Sequence, residues 1–307
     1  MTHAATVVMI EPRDFGFNSD TAVDNAFQHH PDASATQVQK QAMHEFWAMV
    51  EHLDKHHVDV ITLSSPEGVE VPDAVFPNNW FSTNQTDLIL YPMKAANRQL
   101  ELQPDPLQQQ LVKADFIEPT IVDLRLDSAI AGILEGTGAL VFDHANQAVY
   151  GNLSERCEDR ALQAFAERYQ LRLHRLRAVT NQCVPIYHTN VLMAIGSEFV
   201  VIASDTLTND EFNSESLEEL RNCKIDVIPI TEEQMVESFC GNIIQLASTR
   251  GDPVIIMSES ARKGFTKAQL KRLESHGAIV SSAIDTIEYV GGGSARCMIA
   301  EIFLQKA

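Results

Sequence analysis

Along this sequence one pattern returns about every 60 residues: two short apolar runs around a turn, an amphipathic stretch, then a third apolar run. Residues 80–82 and 88–91 flank the turn-rich 83–87. Residues 139–142 and 148–150 flank 143–147, and helical spacing follows over about 154–169. Residues 191–195 and 199–203 flank 196–198 and lead to a helix over 215–222 and a strand over 226–230. Next come 243–246 and 254–258 around 247–253, a helix over 267–276 and a strand over 278–280. Residues 287–289 then lead into a glycine run and a strand over 298–304. At the start, the β-branched runs 7–10 and 60–63 bracket a helix over 35–57, capped by Ser34 or Thr36, with Phe46 and Trp47 on its buried face. About five hairpin–helix–strand units fit the 307 residues. Units of this size bury their apolar faces against their neighbours, which predicts an α/β fold built as a closed array. An open doubly wound sheet alternates single strands with helices and leaves no place for the hairpins. No long linker divides the chain, the Gln/Pro-rich 102–110 being brief, so residues 1–307 read as one domain.

Charge narrows the partners. Forty-two Asp and Glu against 23 Lys and Arg give −19, a surface that repels nucleic acid and anionic membranes. No stretch approaches 18 apolar residues and no basic start leads into one, so a soluble, cytoplasmic protein is expected. Cys157, Cys183, Cys223, Cys240 and Cys297 are widely spaced without a CxxC pair, which indicates neither a zinc site nor a disulfide framework. Cys183, Cys223 and Cys240 read as core or near-core thiols. His29-His30 and His56-His57 sit in polar, helix-flanking sequence and read as solvated surface, so no metal is expected.

Four segments combine turn formers with reactive side chains. Gly291-Gly292-Gly293-Ser294-Ala295-Arg296-Cys297 places a thiol after a glycine run, with a guanidinium beside it that would favour the thiolate. Residues 71–81 carry Asp73, Phe76, Pro77, Asn78, Asn79 and Trp80 at the start of a hairpin. Glu135 stands between an apolar run and Gly136-Thr137-Gly138. His188 and Asn190, in Tyr187-His188-Thr189-Asn190, open an apolar hairpin. A thiol, an imidazole and a carboxylate are the ingredients of nucleophilic catalysis, and each lies at the edge of a separate repeat, where a closed array brings them to one axis. Read singly, residues 71–81 fit an aromatic-anchored loop and Glu135 a turn equally well, while a lone buried cysteine is more often inert core and a histidine entering a buried strand more often a core group.

Together, FPNNWF at 76–81, EGTG at 135–138, YHTN at 187–190 and GGGSARC at 291–297 resemble, in order and over essentially the whole length, the signatures of the guanidino-group-modifying superfamily. That superfamily includes arginine deiminases, dimethylarginine dimethylaminohydrolases and amidinotransferases. The resemblance implies a five-bladed α/β propeller (a pentein) with pseudo-fivefold symmetry, with no cofactor and a small amino acid as the only partner beyond a second copy in a homodimer. It implies Cys297 as nucleophile, His188 as general acid and base, and Glu135 as the carboxylate gripping the reacting group. Asp73 is implied for the substrate α-ammonium, Arg98 and Arg156 for its carboxylate, and Phe76, Asn79 and Asn190 as further binding residues. Where arginine deiminases carry two aspartates this chain has Asn79 and Asn190, which suits a neutral ureido group better than a guanidinium. The sequence is most similar to the citrulline-utilisation hydrolases, and hydrolysis of citrulline is expected. Arginine deiminase or dihydrolase chemistry, amidino transfer, and a non-catalytic amino-acid sensor are the alternatives.

Overall fold

The computed structural model describes residues 3–223 and 226–307. Its strands form five three-stranded sheets of one design, in which the middle strand pairs antiparallel with one neighbour and parallel with the other. In the first sheet β1 (Thr6–Glu11) runs into helix α1 (Ala35–Lys55) and returns as the parallel β2 (Asp59–Ser64). The second is the hairpin β3 (Phe81–Thr83) and β4 (Asp87–Leu90), then α2 (Pro104–Lys113) and β5 (Thr120–Asp123). The third is entered by a short helical turn, α3 (Gly136–Ala139), and contains β6 (Leu140–Asp143), β7 (Ala148–Asn152), α4 (Asp159–Arg168) and β8 (Arg172–Leu176). The fourth is entered by α5 (Thr189–Leu192) and contains β9 (Met193–Ile195), β10 (Phe199–Ile202), α6 (Glu211–Asn222) and β11 (Asp226–Pro229). In the fifth, α7 (Glu232–Ser238) precedes β12 (Ile244–Ala247) and β13 (Pro253–Ser258); α8 (Glu259–Gly264) and α9 (Lys267–Glu274) then lead to β14 (Ala278–Ser282). Helix α10 (Asp285–Gly291) brings the chain back, and β15 (Ala300–Ile302) completes the first sheet against β1, Thr6 facing Ile302.

The long helix shows how the sequence positions these parts. Ser34 caps α1 in a reciprocal capping box with Gln37, and Val38, Ala42, Phe46, Met49 and Leu53 form one buried stripe at helical spacing. Trp47 lies about 100° round the helix from Phe46 and is 43% exposed, which corrects the expectation that it shares the buried face. Glu45, from the same helix, accepts the Thr286 and Ile287 N–H groups, each at 3.0 Å. It thereby satisfies first-turn donors of α10 and sets the direction in which that helix delivers the glycine run.

Several boundaries differ from the expected ones. Helix α4 starts at Asp159 because residues 154–157 form a tight turn, with Ser154 bonded to Tyr187 O and to the Arg156 N–H. Helix α6 starts earlier, at Glu211, where Asp210 accepts the Asn213 N–H as an N-cap. Residues 287–289 lie inside α10, and β15 is shorter than 298–304 because Met298 stays in the turn that carries Cys297. Cys240 is buried, Cys223 is partly exposed, and Cys183 is exposed at φ +60°, a loop thiol outside the core. Among the described residues no helix is long and apolar enough to cross a membrane, and no cluster of three metal-ligating side chains occurs.

Candidate active site

The residues with reactive side chains sit at equivalent places, in the turns that enter the first strand of each hairpin. Asn79 ends a 3-10 turn, Pro77–Asn79, just before β3. Glu135 stands at the N-terminal end of α3 and His188 at that of α5. Cys297 lies in the turn just before β15. These turns touch. Gly136 has φ +43°, and a Cβ there would stand 2.2 Å from Asn78 O, so only glycine lets the Asn79 and Glu135 turns meet.

Asp73, Phe76, Asn79, Arg98, Arg156, His188 and Cys297 line a single cavity, together with Tyr187, Asn25 and residues 291–293. Seven of the nine positions named from the sequence thus share one wall. Glu135 lies directly behind it, fully buried, with Oε2 2.8 Å from His188 Nε2. Its other contacts are the Lys94 N–H on Oε1 at 2.9 Å, Asn79 Nδ2 at 3.5 Å and Arg156 Nη1 at 3.6 Å. Burial alone would raise this carboxyl. Arg156 and the His188 hydrogen bond outweigh it and hold Glu135 ionised, well below the usual carboxylate range. Burial keeps His188 neutral despite that carboxylate, so Nε2–H is donated to Glu135 and Nδ1 is left to accept a proton.

Cys297 is buried, and burial pushes its thiol above the ordinary cysteine value. Opposing this, the Ser294 backbone, Asn242, Arg296 and Asn190 favour the thiolate. Two amide donors face the sulfur, Asn242 Nδ2 at 3.3 Å and Asn190 Nδ2 at 3.4 Å. Asn242 Oδ1 also accepts the N–H of Arg296 at 3.1 Å, which ties the Cys297 turn to the entry turn of β12. The sequence reading missed Asn242; its place in Phe239-Cys240-Gly241-Asn242, ahead of a hairpin as Asn79 is, was the available signal. Asn190 does not line that first cavity; it stands at the sulfur and borders a second cavity. Arg296, adjacent to the thiol in sequence, turns its guanidinium to Ile299 O and Glu301 instead.

The other end of the cavity carries three buried charged side chains, Asp73, Arg98 and Arg156. Asp73 Oδ2 accepts from Asn18 and Thr21 at 2.8 and 2.9 Å, while its buried Oδ1 has no partner among the described residues. Arg98 is clamped by Glu101 at 2.8 and 2.9 Å and donates to Asp73 O and Phe76 O. Arg156 bonds Asp24 and Thr21 O and lies 4.7 Å from the Tyr187 ring centre, its Nε unpartnered among the described residues. Residues 18–28 close over this end, with Gln28 Nε2 3.1 Å from Gly291 O.

The site thus joins a buried thiol to an imidazole–carboxylate pair and two buried arginines. Residues 11–304 match the family described as N,N dimethylarginine dimethylhydrolase, eukaryotic. The chain belongs to that family. Its members are hydrolases acting on carbon–nitrogen bonds. No curated protein matches the sequence. Among solved structures the chain is similar to the N-terminal domain of ArgZ, an arginine dihydrolase of the ornithine–ammonia cycle in cyanobacteria, bound to substrate. The two are 16% identical with a TM-score of 0.71, over 98% of each chain. It is also similar to AgrE in complex with L-arginine, 16% identical with a TM-score of 0.70, over 98% of this chain and 40% of that longer one. DDAH from Pseudomonas aeruginosa complexed with citrulline is 16% identical with a TM-score of 0.67, over 98% of this chain and 100% of that one. At such identities the likeness establishes the α/β fold shared by these enzymes.

Proposed function

We propose that this family member is a cysteine-dependent hydrolase of the ureido group of a free amino acid, converting citrulline to ornithine, ammonia and carbon dioxide. The observation that carries this is the occupancy of Glu135, whose two oxygens already hold the Lys94 N–H and His188, with Asn79 and Arg156 close by. A guanidinium entering a dry site needs carboxylates to offset its desolvation, and the reacting end leaves none free. It offers instead Asn79 Oδ1, buried and without a partner among the described residues, a neutral acceptor for a ureido N–H. Asp73 Oδ1 takes the α-ammonium, and Arg98 and Arg156 take the α-carboxylate. The complex of Pseudomonas aeruginosa DDAH with citrulline supports a citrulline-sized site in this fold.

On this reading thiol and imidazole both rest neutral, and substrate binding drives proton transfer from Cys297 to His188 Nδ1. The thiolate attacks the ureido carbon. His188 returns the proton to the departing nitrogen as the C–N bond breaks, leaving a thiocarbamate on Cys297. Water then adds with His188 as base, and the C–S bond breaks to restore the thiol. The carbamic acid released falls apart to ammonia and carbon dioxide. No cofactor enters the scheme. The same reading takes residues 1–307 as one catalytic domain and the five sheets as blades of a closed ring. The β15–β1 pairing and the Ala247 N–H to Ala4 O bond, 2.9 Å, support that closure.

The second reading, arginine dihydrolysis, is favoured by the likeness to ArgZ and AgrE. Product analysis with purified protein separates the two, with Cys297→Ala as the blank. Ornithine from citrulline and nothing from arginine is expected, and Asn79→Asp should shift preference toward arginine. Turnover of arginine by the wild type, with citrulline left intact, would overturn the ureido reading.

A further inference from the structure

Beside the Cys297 turn lies a second cavity of about 40 Å³, which shares no lining residue with the cavity that Cys297 borders. The first strands of the hairpins wall it, with Asn190, Met193, Ala194 and Gln245 at its sides and Arg296 and Glu301 across from them. Its charges are spent internally: Arg296 pairs with Glu301 at 3.1 Å, and Asp143 accepts from the Asn146 N–H and Nδ2 at 3.1 and 2.7 Å. His3 and His144 also line it, and burial holds both imidazoles below their ordinary value, so neither offers a charge to an ionic ligand. The walls do carry two buried polar atoms without partners among the described residues, His3 Nε2 and Asn190 Oδ1. Buried polar atoms of this kind are ordinarily satisfied by water, and a water needs about 10–15 Å³ of such space, so the cavity has room for about three. Asn190 is only 1% exposed, and its Nδ2 touches Cys297 Sγ at 3.4 Å. One side chain therefore contacts both the cavity and the nucleophile.

We propose that this cavity is a solvent chamber that delivers the hydrolytic water to the Cys297 adduct past Asn190, from the side opposite the bound amino acid. The proposal rests on the covalent reading given above. It answers a difficulty in that reading: the substrate cavity is small, and the amino acid held by Asp73, Arg98 and Arg156 fills the approach from the mouth. That block persists whether the chain is still joined to the reacting carbon or has just been cleaved from it. Water from the chamber adds to the thiocarbamate carbon and gives its proton to His188. The C–S bond breaks, and the sulfur recovers that proton from His188, giving thiol and carbamic acid.

The chamber opens to the surface beside Ala145 and Ser197, both exposed, where a bulky side chain can plug the rim without entering the core. Ala145→Trp and Ser197→Trp should therefore fold with wild-type melting behaviour. During citrulline turnover followed by acid quench, intact mass should show the Cys297 adduct accumulating in both variants. Both kcat and KM should fall together by about tenfold with kcat/KM preserved, the signature of a slowed second step. Unchanged kcat and adduct level in both folded variants would overturn the chamber's role. So would a fall in kcat/KM without adduct. Failure to trap any adduct, in the wild type as well, would remove the covalent reading itself and the chamber's task with it.

Discussion

At the scale of single residues, the decisive balance is at Cys297. Burial opposes its ionisation, while Ser294, Asn242, Arg296 and Asn190 oppose burial. Asn242 is the side chain that both donates to the sulfur and holds the turn, so it should control when the thiolate forms. A hydrogen bond to a charged group contributes roughly 1.5–3 kcal/mol and each pH unit is 1.36 kcal/mol, so Asn242→Ala should raise the thiol's apparent pKa by about one to two units. Iodoacetamide labelling of Cys297 against pH reads this directly. In the wild type labelling should rise with pH through a raised thiol pKa, and in the variant the curve should move to higher pH. A superimposable curve would mean that Asn242 only shapes the turn. Arg296 teaches the converse. Its charge favours the thiolate, yet its guanidinium bonds Glu301 and Ile299 O and not the sulfur, because a peptide's side chains diverge and sequence adjacency does not fix direction.

At the scale of elements, the short turns that precede the hairpins matter more than the helices and strands they join. Helix α10 ends at Gly292, whose φ of +64° terminates it in the left-handed region. A Cβ on Gly292 would stand 2.8 Å from Asn25 Nδ2 and from the Gln28 N atom, against the segment that closes the cavity. Gly292→Ala should thus cost about 1–2 kcal/mol in backbone strain, seen in urea unfolding, and should raise KM for the amino acid substrate. Lost stability with unchanged KM would show that residues 18–28 do not govern binding. Four of the five entry turns were legible because each sets a reactive side chain among turn formers or beside an aromatic at the start of an apolar run. The fifth, Phe239-Cys240-Gly241-Asn242, also sets an aromatic and a glycine ahead of a hairpin, but only the fold shows that its Asn242 reaches the Cys297 sulfur.

At the scale of the molecule, the chain's two ends meet in one sheet, and Cys297 sits immediately before the strand that joins them. Ile302, opposite Thr6, is 4% exposed. Ile302→Ala should cost about 2–5 kcal/mol, a large share of the 5–15 kcal/mol that holds a typical protein folded, while unfolding remains one cooperative transition. Two separated transitions in urea would argue against a single cooperative unit. The sequence alone determined the repeat, the hairpins, the absence of long apolar spans and the identity of the thiol, imidazole and carboxylate, since these depend on local periodicity and residue chemistry. Tertiary structure alone decided that Glu135 backs His188, that Asn190 faces a second cavity, and that Asn242 holds the sulfur. Those outcomes depend on which side chains from turns more than 50 residues apart are brought within 3–4 Å, and no local pattern encodes that distance.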